Sequence, residues 1–288
     1  KCIYGHLHSE GHKLVVEGNI QGIEFHCVAS DYINFSPELI MGEWIYEIIC
    51  REKLWWLKPK SSKILIEEIE KNKDIVLGLA TGSTPIGTYK KLIKAHIENG
   101  LDFSNAKSFN LDEYIGLKGN HPSSYRYFMD NEFFNHINIA KSNTYVPDGT
   151  AENLDVYCKE YDRLIEENGG IDIQILGIGS NGHIAFNEPA EELSIGTSIV
   201  RLNESTINDN SRFFDSIEEV PTTAISMGIG SILKAKRIIL LASGKNKANI
   251  ISKLLNNVTI STQIPASLLK LHPDVTIIVD KEAYSETI

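Results

Sequence analysis

Five short segments carry side chains that could act on a small anionic substrate. Thr81-Gly82-Ser83-Thr84-Pro85 combines a glycine, which lets backbone approach an anion closely, with two hydroxyls and the amides of the next helix, which can hold a phosphate. An ordinary strand-to-helix turn with a hydroxyl cap would read the same way. Phe109-Asn110-Leu111-Asp112-Glu113-Tyr114 places two acids at the end of an expected strand. One carboxylate there could remove a proton from carbon, or simply cap a helix or face solvent. Gly177 to Pro189 is more informative, because His183 follows the glycine-rich turn Gly179-Ser180-Asn181-Gly182. Glu188 is close enough in sequence to fold back and orient the imidazole, an arrangement suited to general acid–base work near neutral pH. Arg212 and Lys247 add cations to an acidic chain, which points to an anionic ligand; read singly, each could be a solvated surface charge.

The surrounding pattern supplies elements to position these groups. Asp74–Leu79, Lys107–Asn110, Ile171–Ile178, Arg237–Ala242 and Val275–Asp280 read as short buried strands. Helical spacing covers Ile86–Asn99, with Tyr89, Leu92, Ile93 and Ile97 on one face. It recurs after Pro122 (Tyr125, Phe128, Met129, Phe133), over Ala151–Asn168 before the stop at Gly169-Gly170, and over Asn246–Leu255. Strands separated by single helices predict an α/β domain built on a parallel sheet. Ligands of such sheets sit beyond the carboxyl ends of the strands. Thr81–Thr84, Asn110–Tyr114, Gly179–Glu188 and Ser243–Lys247 each follow a strand, so all four are expected along one edge.

The 288 residues suit one α/β domain with a decoration. A formal charge of −10, with no basic patch denser than Lys58, Lys60 and Lys63, argues against nucleic acid as a partner. No apolar run approaches the ~18 residues of a membrane span. The four scattered cysteines (Cys2, Cys27, Cys50, Cys158) form no CxxC pair, and with no apolar leader in view they suggest a cytoplasmic enzyme. Residues 1–40 form an extension of unassigned role ahead of a catalytic domain at 41–288. The extension includes strands expected at Leu14–Val16 and Ile23–Val28. Its histidines (His6, His8, His12, His26) match no defensible zinc spacing, so no metal site is expected.

Taken together, LGLATGSTP, FNLDEYIGL, HPSSY, GIGSNGHIAFNEP, NSRFFD and SGKNKA resemble the glucosamine-6-phosphate deaminase family in order and spacing, over roughly residues 74–280. The resemblance implies a three-layer αβα, Rossmann-like fold with a parallel-rich sheet, of the class shared with 6-phosphogluconolactonases and ribose-5-phosphate isomerases. It implies conversion of glucosamine 6-phosphate to fructose 6-phosphate and ammonia with no metal or other cofactor. The implied roles are Asp112 as the enolising base, His183 for ring opening, Asn181 and Glu188 as its supports, and Gly82, Ser83, Thr84, Arg212 and Lys247 around the phosphate. Asn181 stands where some members carry aspartate and is expected to accept a hydrogen bond from the imidazole. Members activated by N-acetylglucosamine 6-phosphate carry a serine and an Arg-x-Lys where this chain has Glu191 and Ser198-Ile199-Val200, so a non-allosteric enzyme is expected. Leu54–Leu57 and Ser61–Lys71 are the expected counterparts of the family's first strand and helix. The expected partner is a small sugar phosphate, and self-association into a homo-oligomer is left open. A galactosamine 6-phosphate deaminase remains the main alternative, ahead of a 6-phosphogluconolactonase and a non-catalytic sugar-phosphate sensor.

Overall fold

The computed structural model describes residues 2–4, 18–20, 23–27, 47–51 and 54–287, with side chains from 60 onward. The chain divides into two compact units, Lys1–Ile45 and Tyr46–Ile288, where the sequence suggested a boundary after residue 40. In the first unit, β1 (Cys2–Tyr4) pairs parallel with β3 (Ile23–Cys27), which pairs antiparallel with β2 (Gly18–Ile20). The strand expected at Leu14–Val16 and the residues His6, His8 and His12 lie outside the described residues.

The second unit alternates strands and helices. Its first half runs β4 (Glu47–Arg51), α1 (Leu54–Lys71), β5 (Val76–Leu79), α2 (Ser83–Asn99), β6 (Lys107–Asn110), β7 (Asp112–Tyr114), α3 (Tyr125–Glu132), β8 (Thr144–Tyr145) and α4 (Leu154–Glu167). Its second half runs β9 (Ile173–Gly177), β10 (Ser198–Arg201), α5 (Glu204–Asn210), β11 (Thr223–Ser226), α6 (Ile229–Leu233), β12 (Arg237–Ala242), α7 (Ala248–Asn256), β13 (Val275–Asp280) and α8 (Lys281–Tyr284). Seven strands form one parallel sheet in the order β4-β13-β12-β9-β5-β6-β8. Every residue of β5 and β13 is buried, as expected for strands covered on both faces. Helices α1 and α2 pack on each other, and α2 lies against β9 and β12. The parallel α/β architecture therefore follows the alternation of apolar runs and helical spacing.

Three local expectations change. Leu54–Leu57 is the first turn of α1, and the strand preceding that helix is β4. A four-residue apolar run does not separate helix from strand by periodicity. Ile97 is 72% exposed although Tyr89 and Leu92, on the same helix, are fully buried. The reason is that α2 ends two residues later, at Asn99, beyond the edge of the core. Phe133 follows α3 and is fully buried, stacking on Tyr89 at 4.8 Å, so it packs as a core residue outside the helix it was assigned to.

The main element absent from the sequence reading is a second sheet. Strands β10, β11 and β7 pair antiparallel in that order, with Ser226 opposite Asp112 and Ala224 opposite Tyr114. The chain crosses from one sheet to the other at Leu111. That residue donates its N–H to Leu79 of the parallel sheet and accepts from Met227 just beyond β11. Tyr114, Phe186, Leu202 and Ala224 form a small separate core beneath this sheet.

Candidate active site

A cavity of about 320 Å³ opens where β5, β6, β9 and β12 end. Thr81–Thr84, Asp112, Gly179, His183, Ser243 and Lys247 all line it, so the four segments that follow these strands do converge at one edge. Its size is in the range of sites for small organic ligands.

Asp112 forms one wall. It is only 6% exposed, and burial, together with the neighbouring charge of Glu113, pushes its carboxyl up to about 8. Glu113 points elsewhere. Its oxygens accept the backbone N–H groups of Tyr114, Tyr125 and Arg126, each at 2.9 Å, so it binds the first turn of α3. Of the two adjacent acids, one serves the structure and one faces the cavity. Tyr125 also lines the cavity, and its hydroxyl donates to Tyr114 at 3.2 Å.

His183 occupies the neighbouring wall, held by a tightly folded loop. A Cβ on Gly179 would lie 2.4 Å from the imidazole, so only glycine lets the ring rest on this turn. Past the histidine, Asn187 closes a turn by donating its N–H and its side-chain amide to Ile184 at 3.1 and 3.0 Å. Ala185 within that turn takes φ 51°, a left-handed conformation costing about 1–2 kcal/mol for a residue with a Cβ. The Asn187 amide also donates to Met227, and the Phe186 N–H donates to Ser226 Oγ, which fastens the loop to β11. The Ile184–Glu188 segment thus folds as a strained turn that returns Glu188 toward the histidine.

Glu188 Oε2 lies 3.3 Å from His183 Nδ1. The same oxygen accepts from the Asn181 side chain at 2.7 Å and from the Asn203 side chain at 3.2 Å, while Oε1 accepts from the Thr206 hydroxyl. Burial alone would raise the carboxyl. The hydrogen bond and charge of His183, with the bonds from Thr206 and Asn181, outweigh it and hold Glu188 down at about 2. Asn181 does not meet the imidazole as expected. Its side-chain oxygen accepts the His183 backbone N–H at 3.1 Å and its amide reaches Glu188, so it ties the loop to the carboxylate.

The same cavity also carries cations. Gly82 has φ 89°, and α2 begins at the next residue with no side-chain cap, leaving the N–H groups of its first turn toward the cavity lined by Ser83 and Thr84. Arg212, in a short 3-10 turn after α5, stacks over Phe213 at 4.8 Å and lines the same space. Lys247 is partly buried at the entry to α7, where burial, with the Arg212 charge adding to it and Asp209 opposing it, lowers its proton affinity. All nine residues singled out from the sequence are accounted for. Gly82, Ser83, Thr84, Asp112, His183, Arg212 and Lys247 line the cavity, while Asn181 and Glu188 stand behind His183. Thr206, Asp209, Asn210 and Asn246 also line it and were not singled out. The first three lie on a short helix with no periodic apolar signal.

A family-wide profile described as glucosamine-6-phosphate isomerases/6-phosphogluconolactonase matches residues 59–278. A glucosamine-6-phosphate deaminase of Thermoanaerobacter pseudethanolicus is 56% identical over 229 residues, covering 80% of this chain and 90% of that protein. One from Clostridium tetani is 60% identical over 219 residues, covering 76% and 90%. The solved structure of a monomeric glucosamine-6-phosphate deaminase superposes with a TM-score of 0.81 at 45% identity, covering 83% of this chain and 99% of that one. A 6-phosphogluconolactonase from Trypanosoma cruzi shares the fold at a TM-score of 0.69 and 19% identity. The profile spans well over half of the chain and the curated relatives exceed half identity, so the chain belongs to the glucosamine-6-phosphate isomerase/6-phosphogluconolactonase family.

Proposed function

We propose that this protein is a glucosamine-6-phosphate deaminase, converting glucosamine 6-phosphate and water to fructose 6-phosphate and ammonia. The observation that carries the reading is one cavity lined by a buried carboxyl, a carboxylate-backed imidazole, two cations and a helix N-terminus. The phosphate is held by Arg212, Lys247 and the first turn of α2 with Ser83 and Thr84. That seat places the sugar carbons toward Asp112 and His183.

His183 moves the proton that opens the pyranose ring, with Glu188 stabilising the imidazolium that forms. Asp112 in its ionised form takes the C2 proton of the open aminoaldose. The C1–C2 enolamine that results accepts that proton at C1, giving the C2 imine of fructose 6-phosphate. Water adds to C2, the C–N bond breaks and ammonia leaves. Each step is a proton transfer or an addition at a carbonyl-like carbon, so the residues present supply the groups required. A carboxyl raised to about 8 by burial is a stronger base than a surface aspartate, which suits removal of a carbon-bound proton.

The substrate is a small sugar phosphate. We place the enzyme in the cytoplasm on the strength of its scattered cysteines; Cys158 is a buried free thiol, and no described helix is long and apolar enough to cross a membrane. Ammonia release measured in parallel from glucosamine 6-phosphate and galactosamine 6-phosphate, with hydrolysis of 6-phosphogluconolactone as a third arm, tests the assignment. Turnover of the glucosamine compound at least tenfold above the other two is expected. Preference for either alternative overturns it.

A further inference from the structure

Glu188 is held from two directions. Asn181 belongs to the histidine loop, whereas Thr206 and Asn203 come from α5 and the residue before it. Thr206 is 3% exposed, and its hydroxyl is the only recorded side-chain donor to Oε1 among the described residues. Oε2 is shared among His183 Nδ1, Asn181 and Asn203. A carboxylate with one oxygen unpaired can rotate about its Cγ–Cδ bond. Pinning Oε1 therefore fixes which oxygen faces the imidazole and at what angle. The same α5 runs directly into the turn that presents Arg212 to the cavity.

We infer that Thr206 is a positioning residue for the proposed reaction, holding Glu188 so that His183 keeps its Nδ1–H directed at the carboxylate and its Nε2 free for the substrate. The inference rests on the deaminase reading for its kinetic arm only. Thr206 makes no proton transfer itself; its contribution passes entirely through Glu188. Valine at 206 keeps the shape and removes the donor, leaving a buried carboxylate oxygen unsatisfied. Loss of a hydrogen bond to a charged group predicts about a tenfold change in rate.

The test compares Thr206→Val, Thr206→Ser, Glu188→Gln and the Thr206→Val/Glu188→Gln double variant in the full chain. Thr206→Val is expected to lower kcat about tenfold with KM within about twofold of the parent, and Thr206→Ser to restore most of kcat. On the Glu188→Gln background, Thr206→Val should cause no further loss, because its effect has no other route. Side-chain nitrogen NMR of His183 should give one Nδ1–H tautomer in the parent and a tautomer mixture in Thr206→Val, a readout that does not need turnover. The inference is overturned by an equal loss of kcat in the presence and absence of Glu188, by a raised KM at unchanged kcat, which would make Thr206 a support of the Arg212 turn alone, or by an unchanged tautomer. If the parent releases no ammonia, the deaminase reading fails, while the NMR arm still decides the role of Thr206.

Discussion

The acid–base groups and the phosphate-binding groups of the cavity are built by opposite means. The acid–base side is largely buried, and the carboxylate behind His183 is heavily bonded. Asp112 is almost fully buried, and Glu188 holds four hydrogen-bond partners. The phosphate side is open, with Arg212 exposed on a 3-10 turn and α2 presenting uncapped N–H groups. Proton transfer needs fixed geometry and a tuned carboxyl, which burial supplies. Binding and releasing a dianion needs attraction without a deep desolvation cost, which partly hydrated cations supply. The first side should therefore govern kcat and the second KM.

The largest expected effect follows from removing the buried base. Asp112→Asn should lower kcat for ammonia release by about 10²–10⁴-fold while fructose 6-phosphate binding, followed by calorimetry, stays nearly unchanged. On the other side, Arg212→Ala and Lys247→Ala should each raise KM by roughly 10- to 100-fold, the worth of a charge-assisted hydrogen bond, with a smaller change in kcat. Similar kcat and KM changes for all three variants would erase the contrast between the two sides.

Burial of Asp112 also makes a prediction about stability. Its carboxyl is raised from 3.8 to about 8 in the folded protein, so between these values the folded state binds more protons than the unfolded one. Stability should fall as pH rises through that window. Asp112→Asn removes the titration. Its melting temperature should draw level with the parent near pH 4 and exceed it increasingly up to pH 8, by on the order of 10 °C. A constant difference across pH would contradict the buried-acid account. The same shift makes kcat/KM climb with pH until Asp112 is ionised, near pH 8.

The smallest expected effect is none. Glu191 and Ser198-Ile199-Val200 supply an acid and neutral side chains in place of a second phosphate site. The rate curve for glucosamine 6-phosphate should be hyperbolic, and N-acetylglucosamine 6-phosphate should leave it unchanged. A sigmoidal curve made hyperbolic by that compound would refute this.

Much of this arrangement was legible in the residues, for a definite reason. Fully buried strands read as unbroken apolar runs, and Arg237–Ala242 and Val275–Asp280 emerge with the expected limits. The strand-end rule then gathers distant segments into one site. The antiparallel sheet was not legible. Strands β7, β10 and β11 are three or four residues long, and β10 is partly exposed along its length, so neither period nor composition marks them. Glu113 and Asp112 are chemically alike and adjacent. Only the position of α3, which claims Glu113, separates structural acid from candidate base. Asn181 likewise lay on the correct loop, but which atoms it would meet depended on a fold-back that sequence spacing does not specify.

Glucosamine 6-phosphate deuterated at C2 tests most directly whether Asp112 carries the proton between the two carbons. A carboxyl only 6% exposed is shielded from exchange with bulk water, so part of the deuterium should appear at C1 of fructose 6-phosphate by NMR, together with a slowed turnover. Complete loss of the label to solvent with no isotope effect would contradict the account.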